Sequence, residues 1–533
     1  MAITLRDLKR LAAAGLGLGL VTLQAPMQAQ AQTIAPAAAA APVVGAAVTP
    51  TLGTQVLHSD NATLRAGDNR QSDTVVTVTP GLSVQYRSAN SRLTGRMQVS
   101  SVSYLGNTRP DRLLPNGRLA LNTDVARQGI GLDASVAADQ VSSQFTSASS
   151  ASPNTADTYT NTRIQISPYF ERALDAQTLV RARLERTQLH STGNSSTLTR
   201  RPDTATSLAT AGGTHRSGRV TYALDTRYLD TESDGPLTTV STQRSIRGTM
   251  LYALSTELDV GVILGRESSQ FAAQRVRDTI KGLRLDWRPS ERTTLRATIE
   301  DRFFGSSWTA DFAHRSNNHS LGLSTSRQIS NYISTTGVGS SAGGTTQALL
   351  DAMLTTRIPN EAERAKAVND LIVQRNLPQQ LAAGRDLYDL NTLVRQNLVL
   401  RGAIMNTRTM LLVSAGQARS RPLAGDAFSS VLGAGRDTRE RYIDAQINHR
   451  LTPISTVSAG LRFGRARAVN NALGTTVSSR DTGFRLSFST AVSPRTQVLA
   501  GVRRIRTVGG PLAGTSGATI TENAVFAGLE HQF

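Results

Sequence analysis

From about Val75 onward one pattern recurs along this chain: a run of alternating apolar and polar residues, then a break. Residues 219–228 set Val220, Tyr222, Leu224 and Tyr228 on one face, with Arg219, Thr221, Ala223, Asp225 and Arg227 on the other. Residues 281–289 set Leu283, Leu285 and Trp287 against Arg284, Asp286 and Arg288. Val180, Ala182 and Leu184 oppose Arg181, Arg183 and Glu185, and Phe484, Leu486 and Phe488 oppose Arg485 and Ser487. Side chains of a strand alternate faces with period two, so each run has one greasy and one charged face.

Each run is roughly ten residues long, the length a tilted strand needs to cross a bilayer. The charged faces are too charged for the core of a soluble sandwich and suit a water-filled lumen. The breaks are of two kinds. Short ones fall at 174–177, 254–257, 288–293, 451–456 and 492–496. Longer ones are rich in Ser, Thr, Gly, Asn and Asp, as at 191–218. Short turns at one end and long loops at the other are the habit of outer-membrane barrels. Such a barrel must close, because an open sheet edge leaves backbone groups unpaired in lipid.

The expected fold is therefore all-β: a transmembrane antiparallel barrel of about 16–18 strands with a small helical insert. Strands are expected near residues 75, 92, 127, 158, 178, 217, 243, 257, 278, 294, 310, 396, 408, 439, 456, 481, 496 and 523.

The two ends of the chain agree with export. Residues 1–31 carry a basic start (Arg6, Lys9, Arg10), an apolar run from Leu11 to Leu23, and the small-residue site Ala29-Gln30-Ala31. That is a Sec-type signal peptide, with cleavage expected before Gln32. Localisation to a Gram-negative outer membrane follows. Residues 32–55 read as a flexible Ala/Pro-rich leader. The barrel is expected over 56–344 and 394–533, with the insert at 345–393. The last strand places Val525, Ala527, Leu529 and Phe533 on its lipid face. A terminal Phe after apolar alternation resembles the signal that barrel-insertion machinery reads. His531 stands where an aromatic or apolar residue is more usual, which puts an imidazole at the periplasmic interface.

The insert has helical spacing. Asn360 follows Pro359 as a cap, Glu361 and Glu363 fall in the first turn, and Ala362, Ala365, Val368, Leu371 and Ile372 form one stripe before Pro378. A helical hairpin could plug the lumen, sit below the barrel or cap it outside. Counting strands forward from the turn at 288–293 puts it in the periplasm. That count also makes the 420–437 segment periplasmic, against the loop-length rule, unless a strand near 330–338 has been passed over.

There is no cysteine, so disulfides, a lipoprotein anchor and Cys-type zinc are excluded. The net charge is +19, and only Lys9, Lys281 and Lys366 are lysines among 58 basic residues. That charge favours anionic partners. No nucleic-acid motif is present, and the basic residues are spread over strands rather than gathered on one helix.

Three stretches resemble the outer-membrane β-barrel proteins associated with the PEP-CTERM/exosortase system. They are residues 58–88, with "SDN" and "TPGL"; residues 285–316; and residues 357–378 ahead of "VLRGAIMNTRT". The resemblance implies a role in exopolysaccharide export or in handling sorted surface proteins, with export-system proteins as partners and no catalytic residues.

Candidate sites follow from the faces. Arg181, Arg183, Arg219, Arg227, Arg284, Arg296, Arg302 and Arg485 are expected to line the lumen, where guanidinium forks suit an anionic exopolysaccharide. The plainer reading pairs them with Glu185, Asp225, Asp286 and Glu300. Trp287, Phe303, Phe304 and Trp308 are read as interfacial girdle residues or sugar-stacking platforms. His314 and His319 carry only a weak metal spacing, and no metal, cofactor or enzymatic nucleophile is expected. The leading function is a conduit or anchor for anionic polysaccharide. The alternatives are a general or anion-selective diffusion porin, and a non-conducting barrel that presents surface loops.

Overall fold

The computed structural model describes residues 45–126, 129–142, 158–192, 203–234, 239–271, 274–330, 346–355, 357–374, 377, 381, 392–423, 436–470, 475–509 and 519–533. The expected signal peptide and the first part of the leader lie outside them.

Strands β1 (Gly45–Ser59), β2 (Asp73–Arg87), β3 (Ser91–Tyr104), β4 (Arg112–Ala126), β5 (Ile130–Ser142) and β6 (Thr158–Ala173) open the sheet. Next come β7 (Thr178–Thr192), β8 (Thr204–Ser217), β9 (Val220–Ser233), β10 (Thr239–Ala253), β11 (Leu258–Phe271) and β12 (Gln274–Ser290). Strands β13 (Thr293–Arg302), β14 (Gly305–Arg315) and β15 (His319–Ser330) precede two helices, α1 (Thr346–Leu354) and α2 (Glu361–Gln374). Then follow β16 (Leu393–Met405), β17 (Thr409–Pro422), β18 (Arg436–Arg450), β19 (Ser455–Asn470), β20 (Thr475–Ser493), β21 (Thr496–Gly509) and β22 (Thr519–Gln532).

Each strand pairs antiparallel with its neighbours in sequence, and β1 pairs with β22 from Thr51↔Gln532 to Ser59↔Ala524. The 22-stranded sheet is therefore a closed barrel. Phe533 donates its amide to the Pro50 carbonyl at 3.1 Å. Pro50 lies opposite Phe533, one step beyond the Thr51↔Gln532 pair, and has no N–H to return that bond. The missing donor therefore falls at the rim of the β1–β22 pairing rather than within it.

The turns at the Phe533 end are all short: 88–90, 127–129, 174–177, 218–219, 254–257, 291–292, 316–318, 406–408, 451–454 and 494–495. The opposite end carries the long connections 60–72, 143–157, 193–203, 331–392 and 423–435. By the loop-length habit of such barrels, Phe533 sits at the periplasmic rim. The exterior carries the exposed apolar side chains, among them Leu184, Tyr222, Leu224, Leu264, Leu283, Ile299, Phe463, Phe484 and Val525. This is an outer-membrane β-barrel.

Several expectations are corrected. The strand number is 22, because β1, β4, β8 and β15 were passed over. Strand β4 hides behind Pro115 and Gly117, and β8 is made of small residues ending at Gly212 and Gly213. The stretch 191–218 is thus not one loop. Residues 45–55, expected in the leader, belong to β1. Strand β15 restores the parity of the count, so the insert leaves and rejoins the barrel at the long-loop end.

Candidate functional site: a lumen entered by two helices

The inward face is built by parity. On β17 the buried Met410, Leu412 and Ser414 alternate with the outward Leu411 and Val413. On β16 the buried Val399 and Ala403 alternate with the exposed Leu398, Leu400 and Ile404.

The helices pack on this inward face. Leu349, Leu350, Met353 and Leu354 of α1 join Val368 of α2, Leu377 and Leu381 in one apolar cluster with Ala403, Met410 and Leu412. Ala367, Leu371, Ile372 and Met405 pack around it. Ala403 faces Leu412 two rungs above the 406–408 turn, and Met405 faces Met410 at its foot. The insert starts from the long-loop end, yet its greasy stripe rests at the short-turn end. The hairpin therefore lies inside the lumen, neither below the barrel nor over its mouth.

The hairpin holds itself together. Arg364, which is buried, donates from Nε to Asp351 Oδ1 at 2.7 Å and from one Nη to the Ile358 and Pro359 carbonyls at 3.0 Å each. One guanidinium thus clips α2 to α1 and to the bend between them. Asn360 Oδ1 accepts from the Glu363 amide at 3.3 Å, which caps α2 as its sequence suggests.

Size decides how far the hairpin fills the barrel. Twenty-two strands about 4.8 Å apart and tilted by about 40° enclose a cylinder roughly 40 Å across at the backbone. Two helices, each about 10 Å wide, constrict that space without filling it.

Another sector of wall, from β5 to β13, is charged in both signs. Arg183 meets Asp133 at 2.6 Å, Arg284 meets Asp286 at 2.9 Å, and Arg247 meets Glu300 at 3.0 Å. Arg302 pairs with Glu267 and lies 3.9 Å from Glu300. The buried Asp225 lies within electrostatic reach of Arg181, Arg247 and Arg284. Arg296 stands beside Asp311. Arg485 stacks over the Phe526 ring at 4.6 Å. Arg227 has the inward parity of Asp225 and Leu229 and is solvent-exposed, with Arg247, Arg302 and Glu185 within electrostatic reach of its guanidinium. Arg219 is the exception among the eight expected lumen arginines. It belongs to the turn 218–219 at the periplasmic rim.

The aromatic candidates divide between the two rims. Trp287 faces outward near the short turns. Phe303 and Phe304 form the β13–β14 turn at the other rim, ring to ring at 5.4 Å, and Trp308 faces outward beside them under Arg327. Trp287 thus stands apart from the other three, which gather at one rim. Val525, Ala527, Leu529 and Phe533 share the exterior face of β22.

A periplasmic imidazole belt was not foreseen. Thr178–His215, Thr293–His314, Thr409–His449 and Thr496–His531 are direct cross-strand partners, each bonded through Nδ1 at 2.8–2.9 Å. All four pairs face outward at the short-turn end. His531 is one member of this set and packs edge-on against Phe533 at 4.7 Å. His314 and His319 lie ring to ring at 5.6 Å on the same exterior.

No family model matches this sequence, and no curated protein does. Solved structures do resemble it in fold. The siderophore receptor PirA from Acinetobacter baumannii aligns at TM-score 0.46 and 10% identity, over 91% of this chain and 80% of that one. The FrpB iron transporter from Neisseria meningitidis (F5-1 variant) aligns at TM-score 0.49 and 9% identity, over 91% and 82%. BauA, a ferric preacinetobactin receptor of A. baumannii, aligns at 0.46 and 10%, over 92% and 80%. At these identities the likeness is one of architecture and assigns no ligand.

Proposed function

We propose that this barrel is a constricted outer-membrane conduit for exopolysaccharide, working beside the export proteins of a PEP-CTERM/exosortase system. The single observation behind the conduit is the hairpin inside the lumen, seated by its apolar stripe on Ala403, Met405, Met410 and Leu412. A barrel that served only as a scaffold would gain nothing from a folded constriction in its interior. The class of polymer rests on the sequence resemblance together with the wall chemistry. Paired arginines and carboxylates offer a hydroxyl-rich chain both donors and acceptors, and the exposed Arg227 offers a fork to an acidic sugar.

The test is conductance in a planar bilayer. The refolded chain is compared with a variant in which residues 346–374 are replaced by a short Gly/Ser linker. Both are first shown folded by heat-modifiable gel mobility. The deletion is expected to raise conductance severalfold. Equal conductance in the two proteins would remove the constriction from the mechanism. Silence in both would leave a non-conducting barrel that presents its loops.

A further inference from the structure

Four of five neighbouring strands carry an Arg-x-Arg triplet near their long-loop ends. Arg419 and Arg421 lie on β17, and Arg439 and Arg441 on β18. Arg465 and Arg467 lie on β19, and Arg504 and Arg506 on β21. Strand β20 between them adds Arg480. All have exterior parity, and all but Arg419 are exposed.

The register sets like charges face to face. Arg419 is the direct partner of Arg439, and Arg439 of Arg467. Arg441 is the direct partner of Arg465, and Arg465 of Arg480. Like charges directly opposite in a sheet repel. Among the described residues, the only carboxylate on the exterior of these five strands is Asp437, already taken by Arg419 at 2.9 Å and Arg421 at 3.2 Å. Gln417 serves Arg439 and Arg441. The other wall differs: there the exterior Arg186 has Glu232, and Asp230 lies beside it in the sheet. The connecting loops 424–435, 471–474 and 510–518 contain one acid, Asp426.

Directly beneath the array, on the same face, lie Ile443, Phe463, Phe484 and Val502, each 40% or more exposed. The arginines thus stand where the apolar belt ends, at the level of the outer-leaflet headgroups. We infer that this face of β17–β21 binds an outer-leaflet glycolipid with phosphate groups on its headgroup. The guanidinium forks hold the phosphates, and the apolar side chains below lie along the acyl chains. Bound phosphates would relieve the cross-strand repulsion. The continuity of charge with apolar surface fits a lipid better than a free anion.

The test uses the full refolded chain in detergent and native mass spectrometry, with bisphosphorylated lipid A as the probe. The triple variant Arg465→Gln/Arg467→Gln/Arg480→Gln is expected to bind about tenfold more weakly, since charge-assisted bidentate bonds are lost. Monophosphorylated lipid A should fall between. The triple variant Arg186→Gln/Arg266→Gln/Arg277→Gln, on the exterior of the other wall, should stay within about twofold of the parent. If the first variant does not fold, the matching Arg→Lys triple keeps the charge without the fork and should bind about threefold more weakly. Unchanged binding in the array variant would overturn the assignment, as would an equal loss in the other triple. Displacement of the lipid by inorganic phosphate at equal concentration would also overturn it, since it would reduce the array to a site for single anions.

Discussion

At the scale of single residues, glycines decide where this barrel can seat its large inward side chains. Gly416 and Tyr442 are direct partners, and a Cβ built on Gly416 would fall 2.6 Å from the Tyr442 ring. Tyr442 is 4% exposed, so the ring has nowhere to retreat. Gly501 stands in the same relation to Phe526, and Gly131 to Tyr169. An aromatic ring laid over a glycine protects bare backbone and pins the register. Gly460 is also an inward glycine, but it has open space about it. Gly416→Val should destabilise the barrel by about 1–3 kcal/mol, the usual cost of overpacking. Gly460→Val should stay within about 0.5 kcal/mol. Urea unfolding in lipid vesicles measures both, and equal midpoints would show that the ring yields. Residue parity was legible in the sequence, since alternation alone put Arg183, Arg284 and Arg302 inside. Their partners were not. Asp133 sits two strands from Arg183 and Glu267 two from Arg302, and period-two reading carries no information across strands.

At the scale of elements, apolar alternation found strands only where the exterior residues are bulky. Strand β8 presents Ala205, Ser207, Ala209, Ala211 and Gly213 outward and does not look greasy, but closure pairs its backbone on both sides all the same. Strand β1 does alternate, with Val48, Leu52 and Val56 outward, but its start continues the Ala/Pro-rich composition of the segment before it and so reads as leader. The helices were legible from their stripe and cap, while their seat was not. One signal could have found it: β17 is apolar on both faces at its start, with Met410 and Leu412 opposite Leu411 and Val413. An inward apolar pair makes sense in a wet lumen only if something covers it. Val368, fully buried in that seat, is the lever. Val368→Asp would bury an unpaired carboxylate, at a cost of several kcal/mol. The hairpin should leave its seat while the barrel stays closed. Trypsin cleavage after Arg364 and Lys366 should then rise by an order of magnitude or more, with folded gel mobility retained. The exposed Glu363→Ala should change neither. An unchanged digest of the Val368 variant would mean that the apolar stripe does not hold the insert.

At the scale of the whole molecule, the question is where a net charge of +19 resides. It does not accumulate on the inner wall. Acids share the inward face of strand after strand, as with Asp133, Asp225, Glu267, Asp286, Glu300 and Glu522, and most sit within ion-pair distance of an arginine. Among the described residues, the densest group of arginines without a carboxylate partner faces outward on β17–β21, while the inward Arg227 is an exception on the inner wall. A paired charge looks neutral beyond a Debye length, about 10 Å at 0.1 M salt, which is far less than the width of this lumen. The strongly anion-selective pore suggested by composition alone should therefore not appear. In the linker-replaced barrel, the reversal potential across a salt gradient should give an anion-to-cation permeability ratio within about twofold of unity. Selectivity should emerge when the compensation is removed. Glu267→Gln with Glu300→Gln leaves Arg247 and Arg302 beside the exposed Arg227, and all three lie within electrostatic reach of one another. That barrel should prefer anions several-fold, and the preference should fade as salt rises. A parent barrel already selective by about tenfold would show that the unpaired Arg227 dominates the field and the ion pairs count for little.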